Sequence, residues 1–239
     1  GFGVNSAIFA LVDATLLRPL PLPAPDRIVA VWGTSNAVER GQISPLNLRD
    51  FNTRTRTMDI MAGYVDNVGG MVMAGRDGVS ETVPRQWVTA EIFDALGLEP
   101  VAGRNMSAAD EAARLNVVVM NEGYWRSRFN ADPSIIGREL RLDGDPFTVV
   151  GVVPDQAQLI GKANIWAIAQ WDPSNPRMRF PRVLNIVGRM KPGVTLEAAN
   201  AEMATVAAGL ASEFPDANAG RGVRLEPLRD VLIGGELRM

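Results

Sequence analysis

The sequence predicts an α+β fold in which one lobe is built from two sequence-separated halves and a smaller β-rich lobe is inserted between them. Two observations support this prediction. A strand-and-helix pattern occurs twice, within residues 27–89 and again within residues 182–228, and a clear β-hairpin lies between the two occurrences. The chain has 239 residues, of which 46% are hydrophobic, so it can fill one large core or two small ones.

The first half begins with the β-rich run "RIVAVWG" at 27–33. In the following "SPLNLRDFNTRT", Ser44 is placed to cap a helix and Pro45 to occupy its first turn. Next, "MAGYVDNVGGMVMAG" and "VSETVPRQWVT" each predict a strand, joined by the turn "GRDG" at 75–78. A hairpin turn explains this loop better than a phosphate or metal site does, because no phosphate-binding strand-to-helix loop is present.

The inserted segment contains a helix, a strand, a second helix and the hairpin. "AEIFDALGLEPVAGR" predicts a short helix around Phe93 and Leu96 that ends at Gly97. "NVVVM" predicts a buried strand, and "NEGYWRSRF" predicts a helix that begins at Asn121. In "RELRLDGDPFTVVGVV", apolar and polar residues alternate on both sides of the turn pair Asp143-Gly144. This hairpin is the clearest local pattern in the chain.

The stretch "ADEAARLN" at 109–116 predicts a solvated loop. Asp110 and Glu111 lie side by side there, but a calcium loop needs alternating oxygen ligands and a glycine at its sharp turn. We therefore expect no ion site at this position.

The second half repeats the first pattern. "RVLNIVGRM" at 182–190 predicts a strand, "TLEAANAEMATVAAGLASEF" an amphipathic helix that starts near Thr195, and "GVRLEPL" a final strand.

The chain starts with "GFGVNSAIFALVDATLL", whose apolar residues recur at helical spacing, and continues into the proline-rich "RPLPLPAPDR", which must end a helix. The apolar stretch is shorter than the ~20 residues that cross a bilayer, so a buried core helix and the end of a membrane helix are both open readings. A secretory signal is disfavoured, because no basic stretch precedes the apolar one and no small-residue cleavage site follows it.

Composition excludes several classes of function. The chain has no cysteine and no histidine, which rules out disulfides, thiolate catalysis, Ser-His relays and HExxH zinc sites. A hydrolase based on a Ser-Lys pair would have to use Lys162 or Lys191, and neither lies in a recognisable motif. The net charge of −3, with both signs interspersed, argues against a nucleic-acid partner. We expect no catalytic, cofactor-binding or metal-binding residues.

The five tryptophans divide into two groups. Trp32, Trp87 and Trp125 lie inside periodic segments, which predicts core positions. Trp166 and Trp171 flank a loop rich in proline and methionine, where a contact with a partner is plausible.

Four stretches together carry a family resemblance. In order along the chain they are "AIFALVDATLLRPLPLPAPDRIVAVW", "SPLNLRDFNTRTRTMDIMAGY", "EIFDALGLEPVAGR" and "VVVMNEGYWRSRFNADPSIIGRELRLDGDPFTVVGVVPD". This arrangement resembles the periplasmic core domain of MacB-type ABC transporter permeases, which are related to FtsX-like permeases. The resemblance covers nearly all of the chain.

The resemblance implies a domain organisation. Residues 1–26 would be the end of the first transmembrane helix and its proline-rich connector, and residues 27–89 and 156–239 would form a Porter-like lobe that leads to the second transmembrane helix. Residues 90–155 would form the inserted Sabre-like lobe. In such a domain we expect the two lobes to shift as rigid bodies when the membrane helices move.

The resemblance also implies a function. The chain would be a non-catalytic ectodomain on the periplasmic side of a bacterial inner membrane, coupling ATP-driven helix motion to substrate handling or adaptor engagement in export. Its partners would be the rest of the permease, a cytoplasmic ATPase, a second permease half or subunit, and a periplasmic adaptor or outer-membrane component. An alternative is a ligand- or peptide-sensing module, which predicts an apolar groove between the lobes.

Overall fold

The computed structural model describes residues 20–74 and 79–234. The predictions for residues 1–17, for the turn at 75–78 and for the last residues, 235–239, lie outside this part. The strands are β1 (Ile28–Ser35), β2 (Val38–Gly41), β3 (Met58–Val65), β4 (Gly69–Met73), β5 (Glu81–Val88), β6 (Ala102–Gly103), β7 (Val117–Asn121), β8 (Glu139–Leu142), β9 (Asp145–Val153), β10 (Ile165–Ile168), β11 (Leu184–Met190) and β12 (Arg221–Pro227). The helices are α1 (Pro45–Arg54), α2 (Ile92–Leu96), α3 (Ala108–Ala112), α4 (Glu122–Phe129), α5 (Leu196–Glu213), α6 (Pro215–Asn218) and α7 (Leu228–Ile233).

Four antiparallel strands in the order β3-β11-β1-β12 form what we call the open sheet. Because side chains alternate along a strand, β1 supplies both faces of this sheet. Val29 and Val31 point to one face, whereas Ile28, Ala30 and Trp32 point to the other. The open sheet is therefore buried on both sides, which explains why "RIVAVW" is a continuous apolar run.

Two helices cover the first face of the open sheet. The side chain of Ser44 caps α1 by accepting from the Asn47 amide, with Pro45 in the first turn, and Thr195 caps α5 through the Ala198 amide. Apolar residues of both helices pack on the sheet, among them Leu48 and Met203. The predicted helix starts are confirmed.

Six strands close into a barrel in the order β4-β5-β10-β7-β9-β8, with β8 returning to β4. The hairpin β8–β9 is confirmed, and its turn residues Asp143 and Gly144 both have positive φ, as a two-residue hairpin turn requires. The barrel interior is apolar; its core residues include Met71, Val83, Val118, Met120, Leu140, Leu142, Phe147, Val149 and Ile165.

A third apolar cluster, which we call the central core, lies between the open sheet and the barrel. The sheet contributes Ile28, Ala30, Trp32, Ala62, Tyr64 and Val187, the barrel strands contribute Val117, Val119, Val150, Val153, Trp166 and Ile168, and α2 contributes Ile92, Phe93, Ala95 and Leu96. Alternate residues of β7, β9 and β10 thus face the barrel interior and the central core in turn. The two parts of the molecule share one core.

Strand β5 joins the two parts. One of its edges pairs with β4 and then, at Val88, with Tyr64 of β3, and its other edge pairs with β10. At this junction the fully buried Gln86 donates from Nε2 to the carbonyl oxygens of Val65 (3.0 Å) and Ile160 (2.8 Å). Its Oε1 accepts from the indole of Trp166 at 3.1 Å. Every polar group of this buried side chain is thereby paired.

The structure corrects three predictions of local structure. The stretch predicted as one strand at 61–75 contains parts of two, β3 and β4, separated by residues 66–68. The stretch 109–116, predicted as a loop, carries α3, because Ser107 and Asp110 form a reciprocal capping box. Strand β2, a short exposed edge hairpin against β1, was not predicted.

The division into lobes 27–89 with 156–239, and 90–155, stays a prediction. Strand pairing places β4, β5 and β10, which come from the first and last of these ranges, in the barrel with β7, β8 and β9. Within residues 20–74 and 79–234, no helix combines the length and hydropathy needed to cross a bilayer.

We predict that Gln86→Leu destabilises the fold by about 3 kcal/mol, because it leaves two buried carbonyl groups and one buried indole N–H without partners. Urea unfolding followed by tryptophan fluorescence measures this change. The matched control is Gln170→Leu, whose exposed side chain makes one long hydrogen bond, of 3.5 Å, and whose loss should cost less than ~0.5 kcal/mol. Equal losses for both variants would contradict the role given to Gln86.

Candidate ligand-binding groove

A groove of about 490 Å³ opens between α1, α3 and the segment 171–178. Its apolar lining includes Leu46, Leu48, Met61, Trp171, Pro173 and Met178, and its polar lining includes Arg49, Asn52, Thr53, Thr89, Glu91, Glu111, Arg114 and Asp172. A volume of this size is typical of sites that hold small molecules. The groove is the apolar cleft that the alternative function predicts.

Helix α3 forms one wall and is held by an ion pair. Both guanidinium nitrogens of Arg104 donate to Asp110, at 2.6 and 2.8 Å, and Asp110 also accepts from the amide and the hydroxyl of Ser107. Arg104, followed by Ser107, lowers the pKa of the Asp110 carboxyl to about 2. Asp110 is buried, so its prediction as a solvated residue is wrong; it fixes α3 so that Glu111 lines the groove.

Two half-buried carboxylates make the inner part of the groove acidic. Burial raises the pKa of Glu91, and the charges of Glu111 and Asp94 raise it further. Burial also raises the pKa of Glu111, although its Oε2 accepts from the Ala90 amide at 3.3 Å. A carboxylate in such a place gains free energy from a cation that binds beside it.

The rim of the groove carries the exposed charges. Arg49 donates to the carbonyl oxygen of Pro173 at 3.1 Å, and Arg114 lies 3.7 Å from Asp172. Asp172 also accepts from the amide and hydroxyl of Ser174, which forms a local turn. An exposed ion pair of this kind contributes little stability, so the segment 171–178 is held against α1 mainly by packing of Trp171 and Met178.

The tryptophan predictions have mixed outcomes. Trp32 and Trp125 are buried as predicted, and Trp87 is partly buried, with the guanidinium of Arg85 stacked 4.0 Å from its ring centre. The predicted partner contact is wrong for Trp166, because it is fully buried with its ring edge against Phe93. Trp171 does line the groove.

Sequence reasoning missed the acidic pair. Glu91 had no motif around it, and Glu111 was assigned to a solvated loop. The spacing of Ser107 and Asp110 fits a helix N-terminus and would have indicated α3, and with it the direction of Glu111. No cluster of three or more acidic residues that could hold a metal ion occurs in the part of the chain described by the structure.

Three solved structures share this fold. A domain of a protein described as a permease from Porphyromonas gingivalis aligns with a TM-score of 0.65 and 18% identity, over 86% of this chain and 92% of that one. The periplasmic region of MacB from Actinobacillus actinomycetemcomitans aligns with a TM-score of 0.60 and 17% identity, over 94% and 99%. The extracellular domain of the noncanonical ABC-type transporter YknZ from Gram-positive bacteria aligns with a TM-score of 0.55 and 10% identity, over 83% and 99%.

The shared fold defines the class, which is that of extracytoplasmic domains of transporter permeases. The chain belongs to the family of MacB-like periplasmic core domains, whose model matches residues 1–206. Membership implies an ABC transporter permease with an ATPase partner and a domain that faces the periplasm; domains of this family are generally non-catalytic. No curated protein sequence matches the chain.

We predict that Glu91→Gln stabilises the fold at pH 7 and leaves it unchanged below about pH 4. A carboxyl whose pKa is raised in the folded state contributes fully at low pH and loses that contribution as the pH rises through its folded pKa. Melting temperatures from pH 4 to pH 8 measure the difference between variant and parent. The control is Glu99→Gln at an exposed position, which should show a flat difference; a flat difference for Glu91→Gln would contradict the prediction.

Proposed function

We propose that this domain couples ATP-driven motion of membrane helices to periplasmic substrate handling or adaptor engagement in export. The membrane helices would lie on both sides of the described part of the chain, in a permease of the bacterial inner membrane. A second permease half or subunit, and an adaptor or outer-membrane component, would complete the assembly. This proposal rests on family membership and on the geometry of the two chain connections.

The observation that carries the proposal is that both connections reach the same end of the open sheet. The start of β1 and the end of β12 are paired, with Val29 opposite Pro227. Helix α7, which follows β12, packs on β1 and on the 3₁₀ helix Pro25–Arg27, which precedes β1. Two flanking membrane helices would thus act on adjacent, hydrogen-bonded strands.

Arg189 on β11 strengthens this attachment. Its buried guanidinium donates from Nη1 to the Pro23 carbonyl oxygen and from Nε to the Ala95 carbonyl oxygen, both at 3.1 Å. The connector before β1 is thereby tied to the sheet and to α2. Together with the shared central core, this favours a domain that moves as one body, in place of the expected shift of one lobe against the other.

We predict that a flexible Gly-Ser-Gly-Ser insertion between Ala24 and Pro25 uncouples the domain while ATP hydrolysis continues, because the inserted segment absorbs the helix displacement. The measurement uses the full-length permease with its ATPase in proteoliposomes. A spin label at Asn36→Cys reports the distance to a second label at the periplasmic end of a membrane helix, with and without ATP. The absence of native cysteine in the 239 residues keeps labelling specific.

The control is the same insertion after Asn36, in the turn between β1 and β2 at the opposite end of the sheet. It should keep the ATP-dependent distance change when the label is placed at Thr34 instead. Melting curves establish that both insertions leave the domain folded. An unchanged ATP-dependent movement in the Ala24 insertion would contradict the coupling proposal.

The groove favours a second candidate function, the binding of a ligand. An apolar lining with Glu91 and Glu111 inside complements an apolar cation. Such a ligand would bury its hydrocarbon against Leu46, Met178 and Trp171 and place its charge near the two carboxylates. The function would then include recognition of an exported or sensed molecule.

We predict that tetraphenylphosphonium binds the groove and that tetraphenylborate, a probe of nearly the same size and opposite charge, does not. Titration calorimetry with the isolated chain measures both. Glu91→Gln combined with Glu111→Gln should weaken the cation by roughly 10-fold, because the attraction of two partly buried carboxylates is lost. Equal affinity for the two probes, or an unchanged affinity in the double variant, would rule this function out.

A further inference from the structure

A second, smaller pocket of about 190 Å³ lies at the far end of the open sheet, and we call it the arginine pocket. It is enclosed by the ends of β1 and β2, the start of β12 and the first turns of α1. Its polar lining comprises Thr34, Ser35, Gln42, Asn47, Arg182 and Arg221. Three glycines of its strands, Gly33, Gly41 and Gly222, leave the space open.

Arg182 enters the pocket as a half-buried cation that has only neutral partners. It donates from Nη1 to the hydroxyl of Ser44 at 3.1 Å, and from Nη2 to the carbonyl oxygen of Ala217 at 2.6 Å and to Oδ1 of Asn218 at 3.0 Å. Its Nε is buried and has no hydrogen-bond partner. A guanidinium in this state has unused capacity for an anion, since it normally forms charge-assisted, bidentate bonds.

The nearby carboxylate is already used. Asp50 accepts from Arg179 at 2.6 Å, and both side chains are buried, with the Arg179 guanidinium stacked 3.6 Å from the ring centre of Phe214. Over residues 20–74 and 79–234, neither Arg182 nor Arg221 has a carboxylate within ion-pair distance. The cluster of three arginines and one aspartate therefore carries two uncompensated positive charges.

The protein itself registers this imbalance. Burial, followed by the charges of Arg221 and Arg179, lowers the pKa of Arg182 to about 10. Mutual repulsion of this kind is relieved when an anion binds between the cations. Uncharged donors for the same anion are available in the lining, namely the hydroxyls of Thr34 and Ser35 and the amide of Gln42.

We propose that the arginine pocket binds a small divalent oxyanion of the phosphate class, held by the guanidinium groups of Arg182 and Arg221. Two uncompensated charges match a dianion better than a monovalent carboxylate, and the pocket volume excludes a large ligand. The site is separate from the groove: Ile43 and Asn47 of the pocket and Leu46 and Arg49 of the groove lie on different faces of the α1 region.

The location of the pocket bears on the source of the anion. Arg221 is paired with Ser35 at the end of β1, seven residues from Ile28, and therefore about 23 Å from the end where the chain connections lie. If the proposed function holds, this is the end remote from the membrane. A soluble phosphate-class anion is then within reach of the site, whereas a phospholipid headgroup of the same membrane is not.

The test measures phosphate binding to the chain directly by ³¹P line broadening, and indirectly by melting temperature at constant ionic strength set with chloride. Phosphate and sulfate should raise the melting temperature in a saturable manner, and acetate should raise it far less. Arg221→Gln should weaken phosphate binding by roughly 10-fold or more, since it removes one of two charge-assisted contacts. The same variant should melt at the parent temperature without phosphate, because Arg221 is exposed and forms no ion pair with the described residues.

Arg141→Gln, at an exposed position on β8, is the control and should bind phosphate as the parent does. Arg182→Gln should also lose binding; if it fails to fold, the Arg221 variant alone decides. Vesicles containing phosphatidic acid, compared with phosphatidylcholine, separate the two sources. Binding to the acidic vesicles that phosphate displaces and Arg221→Gln abolishes would keep the oxyanion site and assign it to a headgroup. Equal effects of chloride and phosphate, or full binding by Arg221→Gln, would overturn the proposal.

Discussion

Strand β5 takes part in two sheets at once, and most of the architecture follows from this sharing. Its pairing with β10 closes the barrel, whereas its contact with β3 at Val88 attaches the barrel to the open sheet. A polar side chain that bridges the junction must be fully satisfied, and Gln86 meets this need with three hydrogen bonds. The central core then covers the junction with apolar side chains from both parts.

A shared core limits how the domain can move. Separating the open sheet from the barrel would expose Trp166, Phe93 and Ile28, each of which is fully buried. Burying a large apolar side chain contributes about 1.5–3 kcal/mol, so exposing several of them would cost much of the stability of an ordinary domain. A domain built in this way is suited to transmit a displacement applied at β1 and β12. The groove and the arginine pocket lie outside this core and can accept ligands without disturbing it.

The charged residues are arranged in two different ways. Where a charge has a structural task it is paired: Arg104 with Asp110 holds α3, and Arg179 with Asp50 joins α1 to the segment after the groove. Where charges line a cavity, like charges meet, with Glu91 near Glu111 in the groove and Arg182 near Arg221 in the arginine pocket. Unrelieved repulsion costs stability, and ligands of opposite charge would remove that cost.

The sequence by itself determined the local elements, because helix caps and hairpin turns act between residues close in the chain. Ser44, Thr195 and Asn121 each start the helix that the sequence predicted, and Asp143-Gly144 turns the predicted hairpin. The order of motifs also determined the family.

Only the tertiary structure decided which strands pair and which polar residues meet. The closure of the barrel through β5 and β10 joins residues about eighty positions apart, and neither short strand carries a signal for its partner. The acidic groove and the arginine pocket likewise combine residues from separate elements, so no local spacing records them. Trp166 shows the limit most clearly: its flanking loop suggested exposure, yet the fold buries it, because burial depends on contacts made by the whole chain.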